Sequence, residues 1–200
     1  MGERCFIKAH NEPEPIGGGS KASYAIGMAY EVDCQRIPLL WVALFDEEDL
    51  KSVIVPEHFL EDAAPNVTIP TLHASKSRTI NTFERRIPVL RKHIDPAIWP
   101  FVELFQKAVE ECKYSHIELD LHALWWMQGK SADRLKKSIV KHLAVYESDA
   151  SWCALYGDKL IADTSGLYGL PFFDSPFEGE IELPWCHATP DGGVEPSEPR

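Results

Sequence analysis

The sequence predicts an α+β fold, in which a small, mostly antiparallel sheet carries about three packed helices. Short stretches such as "ERCFIKAH" and "HIELDLH" alternate polar with apolar residues, which is typical of strands with one buried face. Longer stretches place apolar residues every three or four positions, which is the period of an amphipathic helix. The chain has 200 residues, 44% of them hydrophobic, and this suits one domain with its own core. We expect the domain to span residues 1–186, with a flexible loop at 10–21 and a disordered tail at 187–200.

The first third of the chain is predicted to supply most of the strands. "ERCFIKAH" is predicted as the first strand, "SYAIGMAYEVD" suits a strand or a helix, and "KSVIV" and "NVTIPTLHAS" are short strands or extended segments. The run "IPLLWVALF" is expected to be buried, with Pro38 in the first turn of a helix. Asp46 is a candidate helix N-cap, followed by acids that the helix dipole favours in a first turn: Glu47, Glu48 and Asp49.

The middle of the chain is predicted to be helical. One apolar stripe consists of Ile80, Phe83, Ile87, Leu90 and Ile94, and Pro88 should kink or split this helix. Asp95-Pro96 is a start signal for a second helix, whose stripe is Ile98, Phe101, Val102, Phe105, Val109 and Cys112. Ser131 can cap a third helix with Leu135, Ile139 and Leu143 on its apolar face. Beyond it, "SWCALYGDKLIAD" suggests a hairpin with Gly157-Asp158 as its turn.

The segment "HIELDLH" raises the question of a metal site. As a strand it would place His116, Glu118, Asp120 and His122 on one face, with neighbours on that face about 6.6 Å apart. Zinc bonds are only about 2.0–2.3 Å long, so a complete site would need ligands from elsewhere. The other histidines form no H-E-x-x-H set, and the chain contains no C-x-x-C. A polar face of an antiparallel strand explains the pattern without a metal, and we predict no metal, no cofactor and no catalytic residue.

Charge and composition restrict the classes of partner. The net charge is −11, and the charges of residues 1–62, 63–143 and 144–200 are −7, +5 and −9. Nucleic-acid binding is disfavoured because phosphate contacts need a basic surface. The longest apolar run has nine residues, whereas a membrane span needs about 20, so no membrane partner is expected. Five scattered cysteines and an N-terminus without a signal-peptide pattern favour the reducing cytoplasm.

The order of these segments resembles a known class of bacterial protein. A short N-terminal strand, then "RIPLLWVALFDEEDL", paired helices and "HIELDLHALWWM" is similar to immunity proteins of polymorphic-toxin and type VI secretion systems. The resemblance covers about residues 3–145 and depends on pattern rather than on a diagnostic motif. The glycines at 17–19 and the acidic C-terminal portion depart from it. It implies a protein that acts by binding and has no catalytic residue.

The resemblance implies a protein toxin as partner, with a basic surface near its active site. An acidic inhibitor would associate quickly with such a surface, and aromatic anchors would slow dissociation. The candidate contact residues are Asp46, Glu47, Glu48, Asp49, Glu118, Asp120, Trp125 and Trp126. A second candidate patch consists of Asp174, Glu178, Glu180 and Glu182.

Two other functions remain open from the sequence. The first is a metal-dependent enzyme that uses the face formed by His116, Glu118, Asp120 and His122. The second is an adaptor without catalytic activity and without a toxin partner. Metal analysis of the purified protein would separate the first from an immunity protein, and the identity of a bound protein would separate the second.

Overall fold

The protein is built on one five-stranded antiparallel sheet. The computed structural model describes residues 4–17, 24–30, 39–57, 65–127, 129–158, 160–161, 186–188 and 194–196. The strands of the main sheet are β1 (Arg4–His10), β2 (Tyr24–Tyr30), β3 (Leu50–Pro56), β4 (Asn66–Ser75) and β5 (His116–Asp120). Their order is β2-β1-β5-β4-β3, and each neighbouring pair is antiparallel. The α+β class predicted from the sequence is therefore confirmed.

Strand β5 occupies the centre of the sheet. Its Leu119 lies opposite Ile7 of β1 and Leu72 of β4, and all three side chains are buried. Its Glu118 lies opposite Lys8 and His73 on the other face. Because side chains alternate along a strand, the sheet has one apolar face and one polar face at its centre.

Within the described residues, three helices of twelve or more residues accompany the sheet, and about three were predicted from the sequence. The helices described are α1 (Leu39–Val42), α2 (Lys76–His93), α3 (Trp99–Glu111), α4 (His122–Met127), α5 (Ala132–Leu143) and α6 (Asp149–Tyr156). Helix α2 runs through Pro88 without a break, so the alternative that Pro88 splits it was wrong. Proline removes only one backbone hydrogen bond, and the turns on both sides are fixed by the buried Phe83 and Leu90.

The core forms where these helices meet the buried segment that follows residue 38. Residues 39–45 are all buried, as predicted for this run, whereas Pro38 lies outside the described residues. Phe83 of α2 packs against Phe105 of α3 with ring centroids 5.8 Å apart, so the two predicted stripes do face each other. The predicted caps are also present: Asp46 precedes the 3-10 helix Glu47–Asp49, and Ser131 accepts a hydrogen bond from the Arg134 amide.

The predicted hairpin near residue 157 is wrong, because this segment forms helix α6. Ser148 caps the helix by accepting a hydrogen bond from the Ser151 amide. Trp152 is completely buried and stacks on His93 at 4.7 Å. Gly157, with φ of +84°, ends the helix rather than forming a two-residue turn. Burial of one tryptophan thus outweighs the local turn signal.

The remaining segments lie near the termini. Strands β6 (Cys186–Ala188) and β7 (Val194–Pro196) form a separate antiparallel pair in the region where a tail was expected. Within the loop predicted at 10–21, residues 18–21 are outside the described part of the chain, and residues 11–17 cross the polar face of the sheet. No helix in the described segments is both long and apolar enough to cross a membrane.

Candidate functional site

The segment "HIELDLH" divides between a strand and a helix. His116, Glu118 and Asp120 belong to β5 and share one face, as the alternation predicted. His122 does not share that face, because the strand ends at Asp120 and α4 begins at His122. The His122 Nε2 is instead 3.0 Å from the backbone oxygen of Glu57, to which it donates. A single four-residue face is therefore not formed.

The polar face of β5 is covered rather than exposed. Glu118 is completely buried and Asp120 is only 4% exposed. The cover is the segment Asn11–Gly17, which we call the strap. The strap amides of Ile16 and Gly17 donate to the two carboxylate oxygens of Glu118 at 2.8 and 3.0 Å. The expectation that Glu118 and Asp120 lie on a solvated surface available to a partner is wrong, because the strap occupies that position.

A buried ion cluster lies under the strap. Lys8 Nζ is 3.1 Å from Asp120 Oδ2 and 3.8 Å from Glu118 Oε1, and it also donates to the backbone oxygen of Gly17. His10 Nε2 donates to Glu118 Oε2 at 3.1 Å. Burial alone would raise the pKa of Glu118, but the hydrogen bond from His10 and the charge of Lys8 outweigh it and lower that pKa. Glu118 is thus held as a buried carboxylate.

Three imidazoles stack beside this carboxylate. The ring centroid of His73 lies 5.3 Å from that of His10 and 5.2 Å from that of His116, with the rings within 16° of parallel. Burial lowers the pKa of His73, and the neighbouring His10 lowers it further. The pKa of His116 is lowered by the same two causes. At an effective dielectric constant of about 20, two imidazolium charges about 5 Å apart would repel by about 3 kcal/mol, which disfavours two protonated rings next to each other in the stack.

The cluster is not arranged around a metal. Within the described segments, no group of three or more His, Cys, Asp or Glu side chains has a geometry that could hold a metal ion. The carboxylates of Glu118 and Asp120 are already engaged by Lys8, His10 and backbone amides. Asp120 Oδ1, for example, accepts from the His122 amide at 3.0 Å. These contacts stabilise the join between sheet and strap.

The acidic turn at Asp46–Asp49 is a second candidate site, and it is partly exposed. Glu47 and Glu48 are exposed, with 82% of the Glu48 side chain accessible. Asp49 is buried and pairs with Arg78 Nε at 2.6 Å, so it is not available as a contact residue. Burial raises the pKa of Asp49 above its ordinary value, against the Asp46 amide and Arg78, which lower it. The prediction of a contact surface is thus restricted here to Asp46, Glu47 and Glu48.

Asp46 joins the turn to helix α2. Its carboxylate forms ion pairs with Arg85 Nη2 at 2.5 Å and with Arg86 Nη2 at 3.1 Å. It also accepts a hydrogen bond from Thr82 Oγ1 at 3.0 Å. Arg86 is buried and also donates to the backbone oxygens of Val42, Ala43 and Phe45. The acidic turn therefore has a fixed position on the helix surface.

An open depression of about 540 Å³ lies between this turn and α2. It is lined by Asp46, Glu48, Ser77, Arg78, Asn81, Thr82 and Arg85. Its lining carries both signs of charge. Arg78 pairs with Glu48 and Arg85 with Asp46, so the arginines partly neutralise the acids. Only the acidic side was predicted from the sequence, because a sequence does not show which carboxylate an arginine on a polar helix face will contact.

The tandem tryptophans differ in exposure. Trp125 is 4% exposed, so the prediction that it contacts a partner is contradicted by its burial in the core. Trp126 is partly buried, and Lys130 Nζ lies 3.7 Å from its ring centroid. Lys130 also pairs with Glu57. The second predicted patch, Asp174, Glu178, Glu180 and Glu182, lies outside the described residues.

Lys8 and His10 were not predicted from the sequence, and His73 was considered there only, among the other histidines, as a possible further metal ligand. A usable signal was present, because "FIKAH" and "PTLHAS" also alternate polar and apolar residues around a histidine. Only the register decides that these histidines meet beside Glu118.

Comparison of the chain with protein-family models, curated proteins and solved structures found no match to any of them.

Proposed function

We propose that this chain is an immunity protein that acts in the cytoplasm, where it binds a cognate toxin and covers the toxin's active site. The observation that carries the proposal is the pair of exposed acids, Glu47 and Glu48, of which Glu48 lines the open depression on α2. The net charge of −11 and the resemblance of residues 3–145 to immunity proteins support it. The proposed activity is binding and involves no cofactor and no catalytic residue.

The turn is suited to fast recognition of a basic surface. Asp46 is anchored by Arg85 and Arg86, so the neighbouring glutamates project from a fixed backbone and little conformational entropy is lost on binding. Opposite charges steer encounter and raise association rates, an effect that salt weakens. The depression adds arginine and hydroxyl donors that can pair with polar groups of the partner.

Trp126 is the candidate aromatic anchor. Its ring is already partly buried and lies against the Lys130 ammonium, so a partner would need to cover the remaining exposed edge. Tryptophan contributes strongly to interfaces when it becomes fully desolvated. Its contribution would be to slow dissociation, separately from the effect of the glutamates on association.

The test is co-expression with the protein encoded by the adjacent gene. We expect the chain to restore growth of cells that produce that protein in their cytoplasm, and to form a one-to-one complex in size-exclusion chromatography. Failure to restore growth together with failure to form the complex would reject the proposal. Purification with a stoichiometric metal and a turnover activity would favour the enzyme instead.

A charge-reversal pair locates the surface. Glu47→Lys with Glu48→Lys should lower the association rate constant about tenfold or more at low salt. The matched control is Glu103→Lys with Glu110→Lys, which reverses two exposed acids on α3 and gives the same change in net charge. Equal effects of the two pairs would indicate that net charge alone, and not this turn, determines association.

A further inference from the structure

The strap is attached to the sheet mainly through polar contacts. Glu118 accepts from the amides of Ile16 and Gly17, and Lys8 donates to the Gly17 oxygen. At the start of the strap, Asn11 Oδ1 accepts from the Ser115 amide at 3.1 Å. The attachment therefore depends on the charge of Glu118 and on the state of the groups around it.

The cluster of charged groups under the strap can take up one added proton before its net charge becomes positive. The charged groups there are Lys8 of β1, with Glu118 and Asp120 of β5, and together they carry one net negative charge. The imidazoles that face them are His10 of β1, His73 of β4 and His116 of β5. Glu12, in the strap, is exposed. One imidazolium would make the cluster neutral, and a second would leave an uncompensated positive charge.

We propose that the strap is a pH-operated latch, closed at neutral pH and released in mild acid when a second imidazole of the His10, His73 and His116 stack gains a proton. The stacked rings lie within about 6 Å of one another, and two of them face a buried environment that cannot hydrate a second cation. Opening the strap admits water to the stack and relieves this repulsion.

Release would change the surface of the protein in a defined way. It would expose Lys8, Glu118 and Asp120, which are otherwise buried, together with the patch of Val53 and Val55 against which Gly17 packs. The latch is independent of the proposed binding surface at Asp46–Glu48, because none of the groups under the strap lines that depression.

Hydrogen exchange of two amides tests the latch. Ile16 and Gly17 donate directly to Glu118, and Pro13 and Pro15 carry no amide hydrogen, so these two amides report closure of the strap. We expect their protection factors, corrected for intrinsic exchange, to fall about tenfold more than that of Leu119 between about pH 7.5 and about pH 5.0. Leu119 lies in the central strand and reports opening of the whole sheet.

Two variants keep the test decisive. His73→Gln with His116→Gln removes two proton acceptors and should abolish most of the extra loss of protection. If this variant does not fold, the single His116→Gln, at a half-buried position, should reduce the loss. The latch is overturned if the strap amides and Leu119 lose protection in parallel, if the strap amides keep their protection in acid, or if the variants lose it as the unmodified protein does.

Discussion

His10 Nε2 lies 3.1 Å from Glu118 Oε2, and both side chains are completely buried on adjacent antiparallel strands. Glu118 therefore connects three parts of the chain: strand β1, strand β5 and the strap. A buried carboxylate with this many donors is stabilising only while its partners are present.

Glu118→Gln should lower the free energy of unfolding by about 3 kcal/mol, because it leaves Lys8 short of a counter-charge and one strap amide without a charged acceptor. Urea denaturation at neutral pH measures this. Glu103→Gln, an exposed position on α3, is the control and should change stability by less than about 0.5 kcal/mol. Equal effects at the two positions would contradict the buried cluster.

Arg86→Ala should destabilise the protein by about 3 kcal/mol or more. It removes the side chain that donates to the backbone oxygens of Ala43 and Phe45, while the Val42 oxygen still accepts from the Phe45 amide. The adjacent Arg85→Ala removes the same charge from an exposed side chain and should cost less than about 1 kcal/mol. Thermal unfolding of the two variants provides the comparison, and similar melting temperatures would be inconsistent with this role of Arg86.

Gly17→Ala should destabilise the protein more than Gly129→Ala does. Both glycines have positive φ, +70° and +75°, so the backbone penalty is shared and is about 1 kcal/mol. A methyl group at position 17 would overlap Val55, whereas nothing lies within 4 Å of one at position 129. The extra cost should be about 1–3 kcal/mol, measured by urea denaturation, and Val55→Ala should recover part of it. A larger effect at Gly129 would show that the strap does not pack as described.

The imidazole resonance of His73 should titrate with a pKa below 6.5, and Glu118→Gln should lower that pKa further, because Glu118 raises it. In the unfolded chain the pKa is about 6.5, so the unfolded state binds more protons just below that pH. The contribution of His73 to stability is therefore present above about pH 6.5 and is lost as the pH falls. Nuclear magnetic resonance gives the titration, and denaturation at two pH values gives the stability. An unshifted His73, or a higher pKa in the variant, would contradict the arrangement.

The helices were largely predictable because their signals are local. The caps at Ser131 and Asp95 and the stripe through Phe83 and Leu90 depend on residues three or four positions apart. The error at residues 149–156 has the opposite cause. There, Gly157 gave a local turn signal, but the burial of Trp152 against His93 determined a helix.

The candidate sites were less predictable, because exposure is not a local property. The alternation of "HIELDLH" correctly placed His116, Glu118 and Asp120 on one face, but it could not indicate that the strap covers that face. Likewise Asp46, Glu47, Glu48 and Asp49 are equivalent as acids in the sequence, and only the fold buries Asp49 and exposes Glu48.

The sequence alone determined the class of fold, the start signals at Asp95 and Ser131, the acidic character and the alternation that makes one face of β5 polar. These depend on composition and on spacings within one turn or one strand. The tertiary structure decided which polar residues meet: Lys8, His10, His73 and Glu118 are far apart in sequence, and their strands place them under one strap. The physical reason is that strand register and chain crossing, which set burial and therefore charge state, come from long-range packing.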